Sequence, residues 1–173
     1  MMRFFRKKES WKRFLIKLML LLVVMVAVGA FASKRYQIGY DFQNISSIPG
    51  KRLYVIDKWD NELDLGNRYA FKSQGLEPIF DDGSIMVKIL EAGPGDLVEV
   101  NDSYQVIINN APTVYRGLDQ ATRIGQEKDS FVGKGELGED EFWFMGTHSL
   151  SFDSRYYGSV SLKQVIGRAY PIL

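Results

Sequence analysis

The feature that most constrains this chain is an uncharged apolar run near its N-terminus. Fifteen consecutive residues, Leu18 to Ala32, carry no charge, and the apolar residues 14–16 precede them. The combined segment is long enough to cross a bilayer as a helix, provided that Lys17 extends its ammonium group to the membrane surface. We therefore expect a transmembrane helix rather than a helix buried in a globular core.

The charges around this run indicate its orientation. Residues 1–17 contain seven lysines and arginines against one acid, Glu9. Positive charge accumulates on the cytoplasmic side of a membrane. We expect a cytoplasmic tail over residues 1–13, a transmembrane anchor over 14–33 and an extracytoplasmic domain over 34–173.

An alternative interpretation keeps the same topology for the domain. Ala30–Phe31–Ala32 matches the small-residue pattern of a signal cleavage site, so the apolar run is also compatible with a cleaved secretory signal. The length of the run favours a retained anchor. Either interpretation places the domain outside the cytoplasm.

Composition excludes several kinds of chemistry. The chain of 173 residues has no cysteine, which rules out disulfides, thiolate metal sites and a cysteine nucleophile. Its net charge of +1 gives no reason to expect nucleic acid as a partner. His148 is the single histidine and has no cluster of carboxylates spaced around it for a metal. We predict no metal and no cofactor.

Seven strand-like segments dominate the part that follows the anchor. They are rich in β-branched and aromatic residues and are separated by turn signals such as "DDG" and "GPGD". This pattern predicts a mainly β domain of antiparallel sheets, with a hairpin around Asn101–Asp102. The predicted strands are Lys51–Trp59, Asn67–Lys72, Ser84–Leu90, Asp96–Val100, Tyr104–Asn109, Glu141–Gly146 and Val165–Ile172.

One long segment of the domain differs from the rest. Residues 113–139 are rich in glycine and charge and show little apolar periodicity. We expect a surface excursion between two strands there. Within it, Gly117–Lys128 is the best candidate for a short helix.

Lys88 is the most unusual residue of the predicted sheet. It lies inside the apolar segment "SIMVKIL", where a lysine either extends its head to water or is kept unprotonated by burial. A neutral lysine can take the proton of a serine hydroxyl as that serine attacks a carbonyl. Ser46 and Ser47, in the turn-like stretch "NISSIPG", are the candidate serines.

A third polar segment accompanies these two. "SLSFDSRYYGSV", from Ser149 to Val160, contains Asp153 and Arg155 two residues apart, and these share a face if the segment is extended. A serine triad of His148 with Asp153 is an alternative, but nothing in the sequence orients the imidazole toward a serine.

Together, and in this order, the segments resemble the signal peptidase I family of membrane-anchored serine peptidases. In that family a serine loop with a nearby proline follows the anchor, and a lysine-bearing strand is followed by Pro-Gly-Asp. The third segment has the pattern S-x-D-S-R-x-x-G. Here Pro94–Asp96 follows Lys88, and "SFDSRYYG" over residues 151–158 matches the third pattern.

The resemblance implies a role for each matching residue. Ser47 corresponds to the nucleophile and Lys88 to the general base, with the backbone N–H of the nucleophile in the oxyanion hole. Ser151 corresponds to the serine that hydrogen-bonds the lysine, and Asp153 with Arg155 to a structural ion pair.

The serine motif leaves the choice of nucleophile open. General signal peptidases usually show S-M-x-P, and by that spacing Ser46 is the nucleophile because Pro49 lies three residues on. A smaller branch, which matures pilins in conjugative DNA transfer, shows S-x-P followed by a Gly-Leu-Tyr-like segment. Ser47–Ile48–Pro49 and Leu53–Tyr54 resemble that branch, and we expect Ser47 with Ser46 as the alternative.

Other positions depart from the family pattern. A hydroxyl often stands two residues before the nucleophile to complete the oxyanion hole, and that position is Ile45 here, which leaves Ser46 as a candidate donor. Ile89 replaces the arginine that follows the lysine, and Gly146–His148 reads "GTH" instead of G-D-N.

The resemblance implies a membrane-anchored serine endopeptidase of the bacterial inner membrane, with a periplasmic catalytic domain. Its expected partners are an exported precursor, as a signal peptide or propilin, and membrane lipid around the anchor. The S-x-P motif favours pilin maturation, with cyclisation of the product as an analogy. The alternatives are a general type I signal peptidase, a non-catalytic anchored β-domain of a transfer assembly, and a self-cleaving regulator.

Overall fold

A computed structural model describes residues 10–43 and 46–172 of the chain. Most of the predicted basic tail, residues 1–9, lies outside this part, as does Ile45. The chain divides after Arg35 into two compact units.

The first unit contains one long helix, α1, from Trp11 to Arg35. It is long and apolar enough to cross a membrane, with a mean hydropathy of 2.7 over its most apolar window and no side chain buried in the protein. Such a surface is unfavourable in water and suits a lipid environment. The predicted N-terminal apolar helix is therefore present.

The second unit is built from two antiparallel sheets, so the mainly β prediction is confirmed. The seven-stranded sheet has the order β1-β2-β11-β3-β4-β9-β10, and the four-stranded sheet has the order β7-β6-β5-β8. The strands are β1 Tyr36–Tyr40, β2 Leu53–Asp57, β3 Arg68–Lys72, β4 Ile85–Ala92, β5 Leu97–Val100, β6 Gln105–Ile108, β7 Ala111–Arg116, β8 Gly133–Glu136, β9 Glu141–Met145, β10 Val160–Ser161 and β11 Val165–Pro171.

The buried apolar side chains form three clusters, two on strands of the large sheet and one that joins the small sheet to the ends of β4 and β9. Tyr69, Phe71 and Phe144 belong to the core of the large sheet, where Phe71 and Phe144 stack with centroids 4.8 Å apart. Val106 and Leu118 belong to the core of the small sheet. Because the central strands alternate toward these clusters, their register is determined by burial.

All seven predicted strands are present with small shifts at their ends, and the predicted hairpin joins β5 to β6. Asn101 accepts hydrogen bonds from the backbone N–H groups of Ser103 and Gln105 and so closes that turn. The next turn uses Asn109 and Asn110, both with positive φ, which joins β6 to β7 as a tight hairpin.

Four strands were not predicted. β1 directly follows α1, β7 begins at Ala111–Pro112, and β10 has only two residues. β8 has the sequence "GKGE" and its four residues are all exposed, so it has no apolar pattern to detect. It forms because its backbone pairs with β5.

The segment 113–139 contains the end of β7, two 3-10 turns and β8. Gly117–Lys128 forms no α-helix; the 3-10 turns cover Thr122–Ile124 and Lys128–Phe131. Leu118, Ala121 and Leu137 are buried in the core of the small sheet, so part of the segment is anchored in the domain.

A second short helix, α2, covers Ser154–Tyr157. This part of the motif "SFDSRYYG" is helical, so Asp153 and Arg155 are not brought together by the shared face of an extended segment. Asp153 begins the helix as its N-cap, because its side chain accepts a hydrogen bond from the backbone N–H of Arg155.

Candidate active site

Lys88 lies in the middle of β4, between β3 and β9. Its backbone pairs with Tyr69 of β3, and the adjacent Ile89 pairs with Met145 of β9. Only 3% of the residue is exposed. The side chain therefore does not extend into solvent, and its amine needs partners within the protein.

Two serine hydroxyls provide these partners. The Nζ atom of Lys88 is hydrogen-bonded to the Oγ atom of Ser47, which lies on the loop between β1 and β2. The same Nζ atom lies 3.1 Å from the Oγ atom of Ser151. The two serines are far apart in the chain and meet at a single amine.

Burial changes the acidity of this amine. It lowers the pKa of Lys88 to about 8, because an ammonium group is disfavoured where water cannot solvate it. The negative charges of Asp153 and Asp41 act in the opposite direction, and the positive charge of Arg155 lowers the pKa further. About a tenth of the lysine is therefore neutral at pH 7, and about half at pH 8.

Ser46 occupies a different environment from Ser47. Its Oγ atom lies 3.1 Å from the carbonyl oxygen of Ile48 and 3.2 Å from that of Lys51. It also accepts from the backbone N–H of Ile48 at 3.3 Å. These contacts hold the Ser46 hydroxyl within its own loop, and the loop thereby presents Ser47 to Lys88.

Asp153 and Arg155 form a buried ion pair with two parallel hydrogen bonds. The Nε and Nη2 atoms of Arg155 each lie 2.8 Å from a carboxylate oxygen of Asp153. Asp153 is fully buried and Arg155 is 4% exposed. A bidentate pair of this kind fixes the orientation of both planar groups.

This ion pair connects the site to both sheets. Asp153 accepts from the backbone N–H of Gly146 at 3.0 Å, at the end of β9. The guanidinium of Arg155 donates to the carbonyl oxygen of Gly117 at 2.9 Å, directly after β7. The pair therefore ties the segment that bears Ser151 to strands of the two sheets.

The loop after β9 also contacts the Ser47 loop through its backbone. The N–H of His148 donates to the carbonyl oxygen of Ser47 at 3.2 Å. The imidazole accepts from the backbone N–H of Leu150 at 3.0 Å. The Nδ1 atom of His148 is therefore an acceptor within a turn, whereas the histidine of a triad donates from Nδ1 to its carboxylate.

Gly146 allows these segments to approach closely. A Cβ atom at this position would lie 2.7 Å from the Cβ atom of Ser151 and 2.9 Å from the carbonyl oxygen of Ser47. No side chain fits there without displacing one of the two serines. Gly146 aligns with the glycine of the family's G-D-N pattern, which is the signal by which sequence analysis could have found it.

Gln120 is a second residue of the site that was not predicted from the sequence. Its side-chain amide donates to the carbonyl oxygen of Leu150, next to Ser151. Its backbone N–H donates to the hydroxyl of Tyr156 at 3.1 Å. It lies in a segment without a recognisable motif, so no sequence signal marks it.

Ser47 and Lys88 lie where two depressions meet. The first arm, of about 390 Å³, runs between Ile38–Gln43 and Ser84–Val87. The second arm, of about 350 Å³, is bounded by the 3-10 turn of residues 122–124 and by Leu150 and Phe152. An extended chain that crosses the two serines can therefore occupy space on both sides of them.

The carboxylates and the histidine of the described residues form no group of three or more that could hold a metal ion.

Comparison with known proteins identifies the family of the chain. The model of the family described as signal peptidase, peptidase S26, matches residues 11–173. The chain belongs to the signal peptidase family. Its relatives are serine peptidases, and a signal peptidase acts on a precursor protein.

One solved structure is similar to the present chain. It is a signal peptidase I from Enterococcus faecalis V583, with 24% sequence identity and a TM-score of 0.40. The match covers 62% of the present chain and 96% of the other. No curated protein matches the chain at a significant level.

Proposed function

We propose that the protein is a membrane-anchored serine endopeptidase in which Ser47 is the nucleophile and Lys88 the general base. The observation that carries this proposal is the contact of one buried lysine amine with the hydroxyl groups of Ser47 and Ser151. A lysine in its neutral form has a lone pair that accepts the proton of a serine hydroxyl.

The reaction then follows the course of acyl transfer. The Oγ atom of Ser47 attacks the scissile carbonyl carbon while Nζ of Lys88 takes the hydroxyl proton. The C–N bond of the tetrahedral intermediate breaks, and the ammonium group returns its proton to the leaving amine. Water, deprotonated by the again neutral lysine, hydrolyses the acyl-enzyme and regenerates the Ser47 hydroxyl.

The neighbouring residues hold the two reacting groups in place. Ser151 keeps the lysine amine directed toward Ser47, since its hydroxyl lies 3.1 Å from Nζ. Asp153 and Arg155 hold the segment that bears Ser151. The backbone N–H of Ser47 is the donor for the oxyanion, and no described residue accepts from it.

The substrate binds as an extended strand beside β4. β9 pairs with β4 from Ile89 onward, and along Ile85–Lys88 only β3 pairs with β4 among the described strands. The unpaired edge runs directly to Lys88, so a peptide added there brings a carbonyl to Ser47. We expect small side chains near the cut.

We assign the protein to the bacterial inner membrane, with α1 as a single-pass anchor, the N-terminus in the cytoplasm and the catalytic domain in the periplasm. The basic residues before the apolar run and the hydropathy of α1 support this orientation. The substrate is then an exported precursor.

Within this class we propose the maturation of a conjugative pilin. The contact of Ser47, rather than Ser46, with Lys88 agrees with the S-x-P spacing of the pilin-maturation branch. In that branch the acyl-enzyme can be captured by the amino terminus of the pilin, which gives a cyclic product; here this step is analogy alone. A general type I signal peptidase is the alternative.

The test is co-expression of the full chain with a tagged candidate propilin and with unrelated secreted precursors. We expect processing of the propilin by the wild type and by Ser46→Ala, and none by Ser47→Ala or Lys88→Ala. Processing of all precursors at similar rates contradicts the pilin assignment, and processing by Lys88→Ala contradicts the dyad. The mass of the product distinguishes hydrolysis from cyclisation by one water.

A further inference from the structure

The two arms that meet at Ser47 and Lys88 differ in how they can bind a peptide. The first arm runs along the unpaired edge of β4, where backbone hydrogen bonds hold an extended chain. Past Lys88 this edge is occupied by β9, since Ile89 pairs with Met145. A bound chain must therefore leave the sheet at the dyad, and the second arm is where it continues.

The proposed reaction assigns the two halves of the substrate to these arms. The acyl half stays attached to Ser47 as an ester after the amide bond breaks. We place it in the first arm, where pairing with the free edge of β4 aligns its last carbonyl with Ser47. The leaving half has to depart, and it lies in the second arm, where side chains rather than a strand edge line the surface.

The second arm contains one cation besides Lys88. Arg123 lines it from the 3-10 turn of residues 122–124 and is exposed. No described residue forms a hydrogen bond or ion pair with the Arg123 side chain, and no described carboxylate lines this arm. The other side chains that line this arm are apolar or neutral.

An arginine in this situation selects by charge. Its planar guanidinium binds a carboxylate with two parallel hydrogen bonds, which a neutral side chain cannot match. We infer that Arg123 is a specificity-determining residue that favours a carboxylate on the leaving half of the substrate. The inference rests on the proposed function and adds the chemistry of the segment that the enzyme releases.

The size of the effect follows from the exposure of Arg123. An exposed ion pair changes an equilibrium by about two- to fivefold and is screened by salt. We expect a peptide with one Glu among the first three residues after the cut to be cleaved about two- to fivefold faster, by kcat/KM, than its Gln counterpart. The preference decreases toward unity at high ionic strength.

The experiment uses the full chain in detergent micelles with peptide pairs that differ only by Glu or Gln. Arg123→Ala is expected to remove the preference, and Arg123→Glu to replace it with a preference for Lys at the same place. Lys163→Ala is the matched control, because Lys163 is an exposed cation outside both arms; it is expected to keep the wild-type preference.

Binding to the Ser47→Ala protein, followed by fluorescence anisotropy of the labelled peptides, gives the same comparison without turnover. An unchanged Glu-to-Gln ratio in Arg123→Ala overturns the inference, as does a preference for Glu on the acyl side instead. If the proposed function is wrong, the result differs: Ser47→Ala or Lys88→Ala cleaves both peptides at the wild-type rate.

Discussion

The amine of Lys88 is hydrogen-bonded to the hydroxyl of Ser47, which lies 41 residues earlier in the chain. β4 places the lysine inside the large sheet, and the loop before β2 brings the serine to it. Burial thus provides both the position and the lowered pKa of the base.

Replacing Lys88 by methionine tests the cost of burying the amine. The pKa falls from about 10.4 in an unfolded chain to about 8 in the protein. Below pH 8 the lysine is protonated in both states, so the burial penalty is present in full, and it corresponds to about 3 kcal/mol. We expect Lys88→Met to be more stable than the wild type at pH 7 by about 1–3 kcal/mol.

The size of this difference changes with pH in a defined window. Between about pH 8 and 10.4 the unfolded chain binds more protons than the folded one, so the wild type gains stability as pH rises. The advantage of Lys88→Met should therefore shrink across that window in denaturant unfolding experiments. An advantage that stays constant from pH 7 to 10.5 would contradict a lowered pKa.

The two adjacent serines should respond differently to alanine substitution. Ser47→Ala removes the proposed nucleophile and should lower kcat by about 10⁴-fold or more. Ser46→Ala removes hydrogen bonds within the loop, which costs about 1 kcal/mol of stability and a smaller part of the activity. Peptide cleavage assays on both variants decide between them, and the reverse ranking would make Ser46 the nucleophile.

Gly146→Ala should impair activity although residue 146 touches no substrate in the proposed mechanism. The added Cβ would lie 2.7 Å from Cβ of Ser151 and 2.9 Å from the carbonyl oxygen of Ser47, and both segments would have to move. We expect a loss of about 1–3 kcal/mol of stability and of about 10²-fold in kcat. Gly135→Ala is the control, since no atom lies within 4 Å of its added Cβ; equal effects of the two substitutions would refute the close approach.

Asp153→Asn should act on stability and on the pH dependence together. It leaves the buried guanidinium of Arg155 without its counter-charge, which costs about 3–5 kcal/mol. It also removes a negative charge that raises the pKa of Lys88. In the fraction that folds, the midpoint of the pH–rate profile should therefore move to lower pH; a shift to higher pH is the result that this electrostatic account does not allow.

Much of the fold was predictable because its central strands carry strong local signals. Five strands are rich in β-branched and aromatic residues and are flanked by turn residues, namely β2, β3, β4, β9 and β11. β8 could not be found in this way, because "GKGE" is exposed along its whole length and exists through its pairing with β5. Tertiary partners, not local preference, determine such a strand.

The residues of the site also divide into those that a local motif identifies and those that only tertiary contacts determine. Lys88 and the segment of residues 151–158 were identifiable because their motifs have fixed spacing. The short helix α2 was not predicted. The spacing of Asp153 and Arg155 was interpreted only for an extended segment, in which residues two apart share a face. They meet instead through the N-cap of a helix, and this depends on the contact of Asp153 with Gly146. Gln120 reaches Leu150 across a loop of irregular structure, and no sequence pattern encodes that contact.

The most direct test of the Ser47–Lys88 dyad is the pH dependence of kcat/KM for a cleaved precursor peptide. Catalysis needs the neutral amine, so the rate should rise with pH in a single step with its midpoint near 8, the value to which burial lowers the pKa of Lys88. Lys88→Arg should be inactive at every pH, because a guanidinium does not lose its proton in this range. A rate that is independent of pH between about 6 and 10, or activity retained in Lys88→Arg, would contradict the account.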